Sequence, residues 1–240
     1  MKIAISLAIM FFIFNHSFAQ SYTPGQSIDQ SYQTHGDYMD IYDNSMHKIG
    51  GKTHPNLTGT PLLNREWGIG SVAFSNGRQV SDLPLQFNLQ TNTLFFKKDS
   101  SVLAFADKVA AFRMDYDDEG EKRKVFFRSG YPDAHGKPTD FLYEVINLGS
   151  NVHFLKRLTS GIDEQYVYGS AAKENYEIKQ ERYVYIVKRN ALVKISDNEK
   201  SISKALPEYD KQIKKFEADN NSKLDNDKEV DLLITSLNDL

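Results

Sequence analysis

The sequence predicts a mainly β fold, α+β in class. It reads as an antiparallel meander forming a curved sheet, a sandwich or a barrel, with two amphipathic C-terminal helices. Three observations carry this expectation. From Trp67 onward, short runs of alternating apolar and polar residues recur between turn dipeptides. The alternation of strand and helix that a parallel sheet requires is missing. After Asp197 the apolar spacing changes from every second residue to the helical period of about 3.6.

The chain starts with MKIAISLAIMFFIFNHSFAQ. Lys2 supplies a positive start, Ile3 to Phe14 an apolar run, and Ser17-Phe18-Ala19 a small-x-small site before Gln20. This is the pattern of a cleaved signal peptide over residues 1–19, and the run is too short to span a bilayer. With no Cys in the chain, lipid attachment at a cysteine is excluded, as are disulfides and a thiol nucleophile. The expected product is exported to the periplasm or exterior, is soluble and has no transmembrane segment in its mature part. Residues 20–60 read as an extended lead-in with one short helix near Asp37–His47.

Residues 61–196 form the expected antiparallel β domain. In EWGIGSVAFSNGR an alternating run reaches Asn76-Gly77, a hairpin dipeptide because both residues tolerate positive φ. Leu83, Leu85, Phe87 and Leu89 then share one face, with Gln86 and Asn88 on the other. Thr91-Asn92 and Lys98-Asp99-Ser100 are turn candidates. Further strands are expected at Arg123–Ser129, Phe141–Leu148, Val152–Leu158, Tyr176–Val187 and Leu192–Ile195. The loop RSGYPDAHGKPTD is broken by Pro132, Gly136 and Pro138.

Residues 197–240 form the expected helical segment, packed on the β domain. Pro207 suits a first helical turn, and Tyr209, Ile213 and Phe216 make a narrow stripe. Asn226 with Glu229 has the spacing of a capping box. Val230, Leu233, Ile234 and Leu237 make a second stripe.

The segments TGTPLLNREWGIGSVAFSNGR, LPLQFNLQTNTLFF, FLYEVINLG and ALPEYDKQIKKFEADNNSKL together resemble a group of exported, uncharacterised β-rich proteins common in Bacteroidota. The resemblance covers about residues 54–240. It implies an exported β-rich protein and brings no activity with it.

The chemistry-bearing motifs narrow the function by elimination. The chain has 29 Lys or Arg against 32 Asp or Glu, and no basic stripe, so nucleic acid is not expected as a partner. Residues 197–240 carry 7 Lys against 11 Asp or Glu, a net of −4. MDYDDEG places Asp115, Asp117, Glu119 and Gly120 like the start of a calcium loop. The position of the bidentate Glu is Phe126, and Lys122, Arg123 and Lys124 intervene, so a charged hairpin tip is expected instead. Gly51-Lys52-Thr53 lacks the first glycine of a phosphate-binding loop. Ser45-x-x-Lys48 and Ser196-Asp197-Asn198 match two elements of serine β-lactamases without the third. No histidine pair has helical zinc spacing.

No catalytic, cofactor or metal residue is therefore expected. The candidate binding surface is Tyr166, Tyr168, Tyr183 and Tyr185, crowded in the later strands, with His135 in the loop near Asp133 and Asp140. Such tyrosines stack on sugars or peptides, or simply stabilise a sheet. The functional expectation is binding or structural association with an envelope protein or glycan. A hydrolase of envelope polymer or glycan and a carrier of a small apolar ligand are the alternatives.

Overall fold

The computed structural model describes residues 34–35, 38–39, 41–42 and 48–50, and then residues 57–133, 136–166, 173–189 and 191–240. β1 (Thr34–His35) pairs with β2 (Tyr38–Met39), and β3 (Ile41–Tyr42) with β4 (Lys48–Gly50). Of the helix expected near Asp37–His47, residues 38–39 and 41–42 are strand instead, and the remainder lies outside the described residues. Tyr and Ile suit an extended backbone, and no 3.6 period is sustained there to hold a helix.

One large sheet contains the remaining strands: β5 (Leu57–Gly59), β6 (Gly68–Phe74), β7 (Gln79–Asn88), β8 (Thr93–Lys98), β9 (Ser101–Ala104), β10 (Val109–Asp118), β11 (Glu121–Arg128), β12 (Tyr143–Leu148), β13 (Val152–Tyr166), β14 (Lys173–Lys188) and β15 (Ala191–Ile195). Their order is β15-β14-β13-β12-β11-β10-β6-β7-β8-β9, and β5 also lies along β14. Every pairing is antiparallel except β5 with β14, so the sheet is mixed rather than purely antiparallel. It has two ends and does not close into a barrel.

Turn chemistry sets the hairpins. At Asn76-Gly77, Gly77 has φ 85 and the Asn76 side chain accepts from Arg78 N at 3.0 Å. The β10–β11 turn is Glu119-Gly120, with φ 55 and 92, the two positive values of a type I′ turn. Asp118 faces Glu121 across it, and Asp117 Oδ1 accepts from Gly120 N at 2.6 Å. Asp115 pairs with Lys124 at 2.6 Å and Asp118 with Arg123 at 2.8 Å. Of the carboxylates that resemble calcium ligands, Asp115 is held by Lys124 and Asp117 by the turn's own backbone.

Chain length forces the first half of the sheet to curl. β10 lies beside β6, four strand spacings from β9, or about 19 Å in a flat sheet. The connection from Ala104 to Val109 is only five residue steps and reaches about 17 Å fully extended. The sheet bends to close that gap. Phe105 stacks on Phe96 at 4.5 Å and meets Phe74 edge-on at 5.3 Å, and Ser75 N donates to Lys108 O. Inside the curl lie Phe87, Phe112 and Phe127, with ring centroids 4.8–5.3 Å apart, together with Val72, Leu85, Leu89, Leu94 and Met114. Gln86 and Asn88, on the opposite face of β7, are buried as well. Chain 61–66 covers them: Gln86 Nε2 donates to Arg65 O at 2.9 Å, and Asn64 Nδ2 donates to Leu85 O at 3.0 Å.

The second half, β12–β15, is covered on one face by α1 (Glu199–Ala205), a 3₁₀ turn (Pro207–Tyr209), α2 (Asp210–Asn220) and α3 (Asp227–Asn238). Val152, Phe154, Val184 and Ile186 meet Ile202, Leu206, Ile213, Leu224, Val230, Leu233, Ile234 and Leu237. α1 is a third helix beyond the two expected. Its start explains Ser196-Asp197-Asn198: Asn198 is the N-cap, accepting from Ser201 N at 2.9 Å, and Asp197 pairs with Arg182. The capping box at α3 is half formed. Asn226 Oδ1 accepts from Glu229 N at 3.0 Å, but Glu229 Oε2 accepts from Leu224 N, Lys223 N and Ser222 Oγ instead of reaching the cap's own N–H.

Candidate functional site

The face of β12–β15 turned away from the helices carries a second, smaller cluster. Strand alternation puts Val152 and Phe154 on the helix side, so His153 and Leu155 point the other way, as do Tyr183, Tyr185 and Val187 on β14. Residues 129–133 and 136–139 fold back over this face. Gly130 turns it at φ 85, Pro132 bridges Pro138, and Tyr131 O accepts from Thr139 N. Tyr131, Tyr143, Leu155 and Val187 are buried together beneath it.

At one end of these strands is a cavity of about 320 Å³, lined by Arg128, Ser129, Gly130, Tyr131, Pro132, Ser150, Asn151, His153, Val187 and Arg189. It has the size of a small-ligand pocket. Four pieces of chain meet there: the end of β11 with its loop, the β12–β13 turn, the ends of β13 and β14, and the β14–β15 turn. The β12–β13 turn is pinned from the helical side. Asn238 Oδ1 accepts from both Asn151 N and Val152 N at 2.9 Å, and its Nδ2 donates to Val152 O. Gly149 lies so close to Asn238 that an added Cβ would fall 1.8 Å from its Nδ2.

The wall is cationic and has no carboxylate. Arg128 lies over the Tyr131 ring at 5.8 Å, and Tyr131 meets His153 edge-on at 6.0 Å. Burial and the Arg128 charge hold the His153 pKa below the ordinary imidazole value, with the Gly149 backbone opposing the shift. Burial likewise pushes the Tyr131 pKa up, with Arg128 opposing. Both shifts keep the groups neutral near pH 7. Five buried side-chain polar atoms among the described residues lack a hydrogen-bond partner. Two of them, Tyr131 OH and His153 Nδ1, belong to residues lining this cavity. Such groups cost roughly 1–3 kcal/mol each, so their clustering at one place is informative. The Ser129 hydroxyl is committed, donating to Val109 O and Ala110 O.

Arg189 is the most unusual residue of the wall. Lys188 faces Ala191 across a two-residue turn, where Asn and Gly are favoured, yet position 189 is an arginine with φ 46. An arginine there carries roughly 1 kcal/mol or more of backbone strain that glycine would not.

Of the residues expected to form a binding surface, Tyr183 and Tyr185 share the face turned from the helices. Tyr183 donates to Glu181 and has Lys194 Nζ 3.7 Å from its ring centroid; Tyr185 meets Tyr143 edge-on at 5.5 Å. These contacts are internal sheet pairings. Tyr185, Tyr143, Tyr131 and His153 nevertheless form a continuous row of edge-on rings behind the cavity. Tyr166 ends β13 opposite Lys173, and its side chain lies outside the described residues, as do Tyr168 and His135 entirely. Ser45 and Gly51-Lys52-Thr53 also lie outside them. Among the described residues no group of three His, Asp or Glu is placed to hold a metal ion, and no helix is long and apolar enough to cross a membrane.

Sequence reasoning passed over Arg128, Tyr131, His153 and Arg189. The one local signal was Arg189-Asn190 between two strands, where a hairpin turn would favour Asn-Gly. No family model matches the chain, and no curated protein or solved structure matches it either.

Proposed function

We propose that this chain is an exported protein of the cell envelope or exterior that binds a ligand in the cavity between loop 129–139 and the ends of β13 and β14, without catalysing a reaction on it. The observation that carries this is the wall itself: a small-ligand cavity with unpaired buried polar atoms at Tyr131 and His153, and no carboxylate lining it. A glycosidase working through two carboxylates has no pair to use in this cavity. Two guanidiniums in the wall also fit poorly with an apolar cargo. A binding site held by α3 through Asn238 fits an envelope role in which a glycan or protein partner is recognised rather than altered.

A thermal-shift panel of sugars, sugar acids, phosphates and fatty acids tests this on the purified chain, alongside Ser150→Trp, which puts an indole on the cavity wall. A ligand-dependent rise in Tm that Ser150→Trp removes is the expected result. Turnover of any panel member, or a shift that Ser150→Trp leaves intact, overturns the reading. Export is tested separately by cell fractionation and N-terminal sequencing, with Gln20 expected as the first residue.

A further inference from the structure

We propose that the cavity takes a small ligand by an oxyanion, a phosphate or carboxylate group held between the guanidiniums of Arg128 and Arg189. This rests on the binding role above and specifies the ligand's chemical class. Five of the six other described arginines show how this chain disposes of the charge, and the sixth, Arg65, is exposed. Arg78 holds Asp107, Arg123 holds Asp118 and Glu121, and Arg182 holds Asp197 and Asp227. Arg113 and Arg157 lie over Phe126 and Phe141. Among the described residues neither Arg128, which lies over the Tyr131 ring, nor Arg189 has a carboxylate partner, and both line the same cavity. Asp133, in the loop beside the cavity, accepts from Lys137 N at 2.9 Å.

Two cations facing one small space repel each other, and Arg128 also disfavours a proton on His153. A bound oxyanion reverses that repulsion. The guanidinium presents a planar fork of N–H donors that matches phosphate and carboxylate geometry, which an ammonium does not. Arg189 adds an independent argument. It keeps its charge at a turn position where glycine or asparagine relieves the backbone, and its side chain makes no ion pair among the described residues. Tyr131, whose buried hydroxyl has no partner among the described residues, lines the same cavity.

Isothermal titration of the full chain at low ionic strength uses inorganic phosphate, glucuronate and glucose as probes. The variants are Arg128→Gln, Arg189→Gly and Ser150→Trp. The expected result is binding of phosphate or glucuronate that weakens with added salt. Each arginine substitution weakens it by roughly tenfold or more, the size of a lost charge-assisted hydrogen bond. Arg189→Gly is expected to melt at the same temperature as the parent or higher, because glycine fits φ 46. Phosphate without glucuronate assigns a phosphate ligand, and the converse a carboxylate. Absence of binding by both anions, or affinity unchanged in both arginine variants, overturns the proposal, and so does an Arg189→Gly protein that unfolds more easily. Glucose binding that only Ser150→Trp removes leaves the binding role standing and rejects the oxyanion.

Discussion

Strands β6–β11 bury their shared face against one another, whereas β12–β15 bury theirs against three helices. In the first region a five-step connection curls the sheet and three phenylalanine rings fill the curl. In the second, the aliphatic stripes of α2 and α3 cover one face and leave the other to the tyrosine row. The consequence is functional. A curled sheet spends its inner face on its own core, while an open one keeps a second face on which a loop can build a cavity. The candidate site therefore sits where the fold is open.

The comparison breaks first at the aromatic centre. Phe87→Ala is expected to cost about 3–5 kcal/mol, since Phe87 is 1 % exposed and touches both Phe112 and Phe127. Urea unfolding followed by Trp67, the single tryptophan, reads this directly. Because one hydrogen-bonded sheet joins the two regions, helical circular dichroism should move with the tryptophan signal. Separate transitions would show that the regions fold independently.

Leu233→Ala, in the helix-facing core, should cost about 2–5 kcal/mol, with the helical signal again moving together with Trp67. Asn238→Ala probes the link between helix and cavity. It frees Val152 N, Asn151 N and Val152 O, and about 1–3 kcal/mol is expected from the unsatisfied backbone groups. It should also weaken ligand binding, which Leu233→Ala should leave largely intact in protein that remains folded.

Acid should act on the open region through His153. Its folded pKa lies below the unfolded value of 6.5, so the folded state binds the proton less readily. The stability this residue contributes is complete above about pH 6.5 and is lost as pH falls from there through the folded pKa. Urea midpoints measured across that window should fall less steeply in His153→Gln than in the parent. The smallest effect is expected at the charged hairpin tip. Asp115 and Lys124 are 58 % and 81 % exposed, so Asp115→Asn should change stability by less than about 1 kcal/mol and by less still in high salt.

Periodicity made much of the fold legible. The Leu85, Phe87, Leu89 face, the Asn76-Gly77 turn, the Asp115–Lys124 hairpin and the α3 stripe all follow from spacing within a few residues. Less legible were features fixed by distant chain. Gln86 and Asn88 read as a polar face, yet chain 61–66 buries them. Glu229 has capping-box spacing, yet it serves the preceding loop. The cavity was less legible still. Arg128, His153 and Arg189 come from three separate strand ends, and none has a local pattern that links it to the others.

The sequence by itself determined the β-rich class, the hairpin registers and the amphipathic helices, because each depends on residues close along the chain. It also excluded cysteine chemistry outright. Only the tertiary structure decided that the sheet curls at one end, stays open at the other, and gathers Arg128 and Arg189 beside His153 and Tyr131. The physical reason is that curl follows from how far a short connection must reach. A cavity depends on which strand ends meet, and neither quantity is encoded in any one stretch of residues.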